Sequence, residues 1–234
     1  MDYITPAVIA ALVSGAISVV GLAVNRSTNI RIHRSRMRTD LRLASKKFNF
    51  DCELAKRKFN YDVTQAALKR KFDLADQMLS DAYKLEHLIE YARSGFTFEG
   101  EGETRKGEPT ESESKRSARN SYFVPFERLN KEKEFIGSMM ARRYTARALF
   151  GPEADEAFTL FNSAIRKIQN ASVMLSESSD EELMDREFVA ALKVTIWSGY
   201  TPNRQVDLVG AMIKDGVSLT EKFCRPALSA QIGG

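Results

Sequence analysis

The chain is poor in the residues that usually carry chemistry or covalent bracing. Its 234 residues include two cysteines, Cys52 and Cys224, and two histidines, His33 and His87. The cysteines match no metal-ligand or redox spacing, which argues against a disulfide framework and for two small buried hydrophobes. No GxSxG, P-loop, HExxH or GxGxxG pattern occurs, so nothing points to a built-in nucleophile, phosphate cradle or metal site. The expectation is a protein that is not an enzyme and takes no cofactor and no metal. Two further absences are positional. No charge lies between Tyr3 and Asn25, and neither proline nor glycine lies between Leu22 and Ser94.

The uncharged segment is long enough to matter. Pro6 to Val24 is 19 residues without a charge or a strongly polar side chain. As a helix it reaches ~28 Å, close to the hydrocarbon thickness of a bilayer. Thr5 is a candidate cap and Pro6 suits the first turn, where its missing N–H costs nothing. A cleaved signal peptide would carry a basic start and a small-residue cleavage site. "MDYIT" has only Asp2, and no such site precedes the polar boundary. The reading is therefore an uncleaved transmembrane anchor over residues 1–25. One face of it is small, with Ala7, Ala11, Ser14, Ser18 and Gly21 at alternating spacings of four and three. Such faces let helices approach in lipid, so span self-association is expected there.

Beyond the span the chain turns basic. Residues 26–71 hold 14 Lys/Arg against 4 Asp/Glu, while the net charge of the whole chain is only +4. Arg26, Arg31, Arg34, Arg36, Arg38 and Arg42 sit on one side of the span only. Positive flanks stay cytoplasmic, which puts the N-terminus outside and the bulk of the chain in the cytoplasm. The same arginines suit contact with an anionic leaflet. Two triplets farther on, Lys56, Arg57, Lys58 and Lys69, Arg70, Lys71, lie beyond the ~8 Å reach of headgroup charge. They read as solvated surface or as contacts for an acidic partner. Nucleic acid is the alternative partner, although no zinc, RNP-like or helix-turn-helix signature accompanies the charge.

The breaker-free run predicts one long coiled-coil-like helix over residues 26–93. An apolar stripe runs Met37, Leu41, Ala44, Phe48, Cys52, Ala55, Phe59, Val63, Ala66, with an eleven-residue period seen also in "KFNFDCELAKR" and "KFNYDVTQAAL". That period favours a straight or right-handed association. After Ala66 the register weakens at Arg70, Gln77 and Asp81. A second stripe, Leu43, Phe50, Leu54, Tyr61, Leu68, Phe72, Ala75, Leu79, lies roughly opposite. Two apolar faces favour a homo-oligomer or a further partner over a lone tether.

Residues 94–121, rich in Gly, Glu, Ser and Thr, read as a disordered linker. From residue 122 to residue 230 helical periodicity returns, predicting an antiparallel four-helix bundle and an all-α chain. Pro125 is taken to open a helix that ends at Phe150. Pro152 opens the next, with the face Ala154, Ala157, Phe158, Phe161, Ile165, Ile168, Ala171, Leu175. Ser179 is read as the cap of a third helix reaching Trp197, and Val206 to Cys224 as the fourth. Arg143 and Arg147 share a face that could hold an anion, with intrahelical or inter-helix pairing to Glu residues the competing reading. His33 and His87 read as surface residues.

At "RYTARALFG", Arg143 to Gly151, and "KFCRPAL", Lys222 to Leu228, the chain resembles bacterial single-span membrane proteins of unassigned function. That resemblance implies a bacterial inner membrane and no particular activity. The anchor-plus-rod plan is also similar to the peripheral stalk subunit of rotary ATP synthases. The linker and helical tail depart from that plan, so its role is not carried over. The functional expectation is a single-pass scaffold or interaction protein that self-associates and presents a helical module to a cytoplasmic protein.

Overall fold

The computed structural model describes residues 6–177, 185–200, 202 and 206–229. Every regular element among them is a helix: α1 Pro6–Ala92, α2 Glu113–Lys131, α3 Lys133–Ala141, α4 Arg143–Phe150, α5 Pro152–Glu177, α6 Arg186–Ile196 and α7 Leu208–Ser229. The all-α expectation holds. The chain divides into two units between Gln65 and Ala66.

The first unit is bare helix. Every described residue from Pro6 to Gln65 is exposed, its apolar side chains included. The absence of proline and glycine lets α1 continue for 87 residues, far past the usual helix length.

The second unit begins with the last turns of α1. Ala75, Met78, Ala82, Leu85, Ile89 and Ala92 are buried in the main core together with residues of α2 to α5 and α7. Their spacing follows a different face from the stripe that ends at Ala66, which explains why the register weakens beyond that point. The new face packs into the core of the helical unit.

α5 is the centre of this unit and touches α2, α4, α6 and α7. The whole face predicted for it, Ala154 to Leu175, is buried. Where α7 crosses it, Gly216 admits the ring of Phe161. A Cβ on Gly216 would stand 2.6 Å from Phe161 Cε1, and Phe161 is itself 1% exposed. Alanine gains ~1 kcal/mol of helix propensity over glycine, whereas overpacking a core typically costs ~1–3 kcal/mol. Gly216→Ala is expected to lower stability by about 1 kcal/mol net, measured by thermal melting of the full chain in detergent. A raised melting temperature would show that the ring yields.

Several local expectations are corrected. Pro125 does not open a helix; it lies inside α2, which starts twelve residues earlier, where the Ser112 side chain accepts from the Lys115 N–H. Upstream, buried Arg119 and Tyr122 supply tertiary contacts; these outweigh the one backbone bond that proline removes. The run to Phe150 is three helices, broken at Glu132 and Arg142. At the other end, Val206 precedes α7 and is 71% exposed, while Val209, Ile213, Val217, Thr220, Phe223 and Cys224 are buried as expected. Pro226 lies inside α7 rather than past its end. Thr5 and Ser179 lie outside the described residues; α6 is capped instead by Asp185, whose carboxylate accepts from the Glu187 N–H.

The stretch read as a disordered linker is a folded loop and the first turns of α2. Glu111 is the reason. Its carboxylate accepts from Arg105 Nη2 at 2.5 Å and from Arg119 Nη1 at 2.8 Å, with all three side chains buried. Nearby, Glu101 accepts two bonds from Arg128, and Arg128 also donates to the Tyr91 and Phe96 carbonyls. Gly102 completes the anchor. Its N–H donates to Glu127 at 2.6 Å, its φ is +83°, and a Cβ there would stand 2.2 Å from the Asn120 carbonyl oxygen. No other residue type fits.

Candidate membrane anchor and interaction surface

Within the first unit the uncharged segment forms the start of α1. It contains an 18-residue window of mean hydropathy 2.5, none of it covered by protein. Leu12, Ile17, Val19 and Leu22 are each more than three-fifths exposed. In water such a surface is strongly unfavourable; a helix satisfies its own backbone and needs only an apolar solvent. Ala7, Ala11, Ser14, Ser18 and Gly21 follow one side of this helix. The Ser18 hydroxyl donates to the Ser14 carbonyl at 3.0 Å, so its polarity is met inside the helix. Added bulk at Gly21 would meet nothing within 4 Å.

Past the window, all six arginines are exposed. Arg26 and Arg34 line one open furrow with Asn25, Asn29 and His33, while Arg31, Arg36, Arg38 and Arg42 lie outside it. Charge therefore surrounds the helix, as a guanidinium collar, instead of forming one pocket. The two basic triplets differ. Lys56, Arg57 and Lys58 are exposed, and Arg57 Nη2 pairs with Glu53 one turn earlier at 2.6 Å. Lys69 and Arg70 are exposed, but Lys71 is half-buried with its ammonium 5.4 Å from the centre of the Phe150 ring. That lysine already serves the helical unit, so the second triplet is not a free basic patch.

The helical unit accounts for the other candidate cations. Arg143 grips Asp155 in a bidentate pair at 2.6 and 3.0 Å and reaches Thr159 Oγ1. Arg147 stands 4.0 Å from the same carboxylate. Arg142 pairs with Asp81 at 2.6 Å. Pairing thus accounts for these arginines, with aspartates in place of the expected glutamates. The gap beside Asp81, lined also by Met78, Phe158, Phe161 and Thr220, has no room for a water molecule. His87 is exposed, 3.6 Å from Glu90, and no group of metal-ligating side chains is assembled among the described residues.

Buried ion pairs are what sequence reasoning missed. Arg93 is the sharpest case. Its guanidinium is 4% exposed, donates two bonds to Asp207 at 2.8 and 3.0 Å, and also donates to the Val194 and Thr195 carbonyls. It ties the end of α1 to α6 and to the start of α7, where Asp207 also accepts from the Gly210 N–H. No local pattern marks Arg93, Arg119 or Arg128 as interior; in sequence they look like any solvated arginine.

These pairs set a pH limit. Burial raises the Glu111 carboxyl, but the bonds from Arg105 and Arg119 outweigh it and hold it below the usual range. The Arg128 bonds hold Glu101 down, and Arg93 together with the Gly210 N–H overcomes burial at Asp207. A carboxyl lowered in the folded state stabilises fully above its ordinary value, near ~4, and loses that stabilisation as pH falls through the lowered value. The melting temperature of the full chain is expected to be flat above pH ~5 and to drop steeply below pH ~4. In Glu111→Gln the acid slope becomes shallower; an unchanged slope would remove Glu111 from the account.

No protein-family model, curated protein or solved structure compared with the chain matches it. The functional reading therefore rests on the chain's own surface.

Proposed function

We propose that this chain is a single-pass membrane scaffold. Pro6 to Val24 crosses the bilayer with the N-terminus outside, residues 26–65 stand as a rod for self-association, and the helical unit from Ala66 onward is presented to a protein partner in the cytoplasm. The observation that carries this reading is the bare window of mean hydropathy 2.5 set directly against arginines on one side only. An apolar helix with no protein cover needs lipid, and the one-sided collar orients it. The exposed aromatic and aliphatic side chains of the rod, Phe48, Phe50, Leu54, Phe59 and Tyr61 among them, support assembly. The small face from Ala7 to Gly21 supports contact between spans. The helical unit has a packed core and arginines paired within it, which suits a protein-binding module better than a catalytic one.

Membrane fractionation with a C-terminal reporter tests this reading. The intact chain should resist alkaline carbonate extraction, and its C-terminus should be digested only after the membrane is breached. Release by carbonate, or digestion by protease outside sealed cells, defeats it. The basic triplets give the rival reading as a nucleic-acid binder less support, since Arg57 and Lys71 are already engaged.

A further inference from the structure

The rod repeats itself more closely than its apolar stripe alone reveals. Asp40, Asp51 and Asp62 recur every eleven residues, as do Ala44, Ala55 and Ala66. Lys47 and Lys58 keep the same interval. Eleven residues make three turns of ~3.67 residues, so each repeat returns to the same face with little drift. Ala44, Phe48, Cys52, Ala55, Phe59 and Val63 form an unbroken seam at spacings of four, four and three. The opposite stripe is interrupted: Leu43, Phe50, Leu54 and Tyr61 leave gaps of seven residues filled by Lys46 and Arg57. One face is therefore continuous and the other is not.

The edges of the continuous seam differ in charge. At 100° per residue, Asp40, Asp51 and Asp62 fall along one edge, interspersed with Lys47 and Lys58. Arg38 and Lys56 fall along the other, which holds no acid; Arg42 and Glu53, one repeat apart, share a position farther round, where Glu53 pairs with Arg57. Among the described residues, none of these three aspartates takes part in an ion pair, and each is exposed. Parallel helices set one edge of each copy against the opposite edge of its neighbour, whereas antiparallel helices set like edge against like edge. Flanking charges of this kind fix orientation in helical assemblies. Only the parallel arrangement brings the aspartate edge to the arginine-lysine edge.

We infer that the occupant of this seam is a second copy of the same chain, packed parallel and level along Ala44 to Val63. The inference rests on the membrane reading above, because anchors in one bilayer hold all copies in the same direction and at the same height. The alanine at each repeat lets the backbones approach, and Phe48 and Phe59 fill the spaces between. The seam stops at Ala66, where the helical unit begins.

Cys52 lies on the seam and is exposed, while Cys224 is buried and its thiol is pushed up to about 12 by that burial. Treating membranes that carry the full chain with a short bismaleimide therefore reads Cys52 alone. The wild type should give a covalent dimer that Cys52→Ser abolishes. In the Cys52→Ser background, Ala55→Cys should restore the dimer several-fold more efficiently than Leu54→Cys or Arg57→Cys, which point elsewhere. Equal cross-linking at Leu54→Cys, or adducts only with other proteins, overturns the seam. Oligomers trapped by an amine-reactive reagent without any thiol-linked dimer at positions 52 and 55 overturn it too, leaving the membrane scaffold intact. No oligomer with either reagent brings down the self-associating reading as well.

Discussion

Asp207→Ala should destabilise the helical unit by about 4 kcal/mol, and by more than Arg93→Ala does. The two partners of this pair are not equivalent. Arg93 is 4% exposed and Asp207 33% exposed. Removing the aspartate strands a buried guanidinium without its counter-charge, and breaking a buried pair from one side costs ~3–5 kcal/mol. It also removes the acceptor of the Gly210 N–H at the start of α7, a cap worth ~1 kcal/mol. Removing the arginine instead leaves a carboxylate that water can reach and that still caps α7. Two carbonyls, of Val194 and Thr195, lose a donor, for a total nearer ~2–3 kcal/mol. The double substitution Arg93→Ala with Asp207→Ala should be less damaging than Asp207→Ala alone, because no charge is stranded. Thermal and denaturant melting of the full chain in detergent gives all three values. Equal losses for the two single variants would mean that Arg93 is solvated once its partner is gone.

The largest effect on location is expected from Val13→Lys combined with Ile17→Lys. Both positions lie near the middle of the window of mean hydropathy 2.5. Each central lysine adds roughly 2.5–3.5 kcal/mol to the cost of insertion, so together they shift the partition by several powers of ten. In flotation gradients the variant should leave the membrane band and sink or aggregate. Leu43→Lys with Leu54→Lys adds the same charge to the rod and should float as the wild type does. A floating Val13→Lys, Ile17→Lys variant would mean that something other than this helix holds the chain to membranes.

The anchor and the Arg93–Asp207 pair are of opposite legibility in the sequence. The apolar window and the buried face of α5 were readable because helical periodicity is local: Ala154, Phe158, Phe161 and Ile165 declare a face without reference to anything else. The Arg93–Asp207 pair joins positions 114 residues apart, and no local pattern links them. The same holds for the loop before α2. Its Gly, Glu and Ser content is that of a solvated chain, and only the meeting of Arg105, Arg119 and Glu111 in space turns it into structure. Pro125 misled for a related reason. A proline is a sound stop signal for an isolated segment, yet buried Tyr122, Val124 and Leu129 hold α2 together across it. At the rod, sequence reasoning took Cys52 for a small buried hydrophobe, whereas it is exposed. The same reasoning overcounted the free cations, because the contact of Lys71 with Phe150 depends on the folded unit.

The central position of α5 has a practical corollary for anyone cutting this protein into pieces. Four helices lean on one, so no subset of them owns a private interior. A fragment ending before α7 would bare Phe161 and Ile165 to water, and one starting after α1 would open the side lined by Ala82, Leu85 and Ile89. Either excision should yield insoluble material instead of a smaller working domain. The minimal expressible piece must begin no later than the last turns of the long helix and run through Ser229.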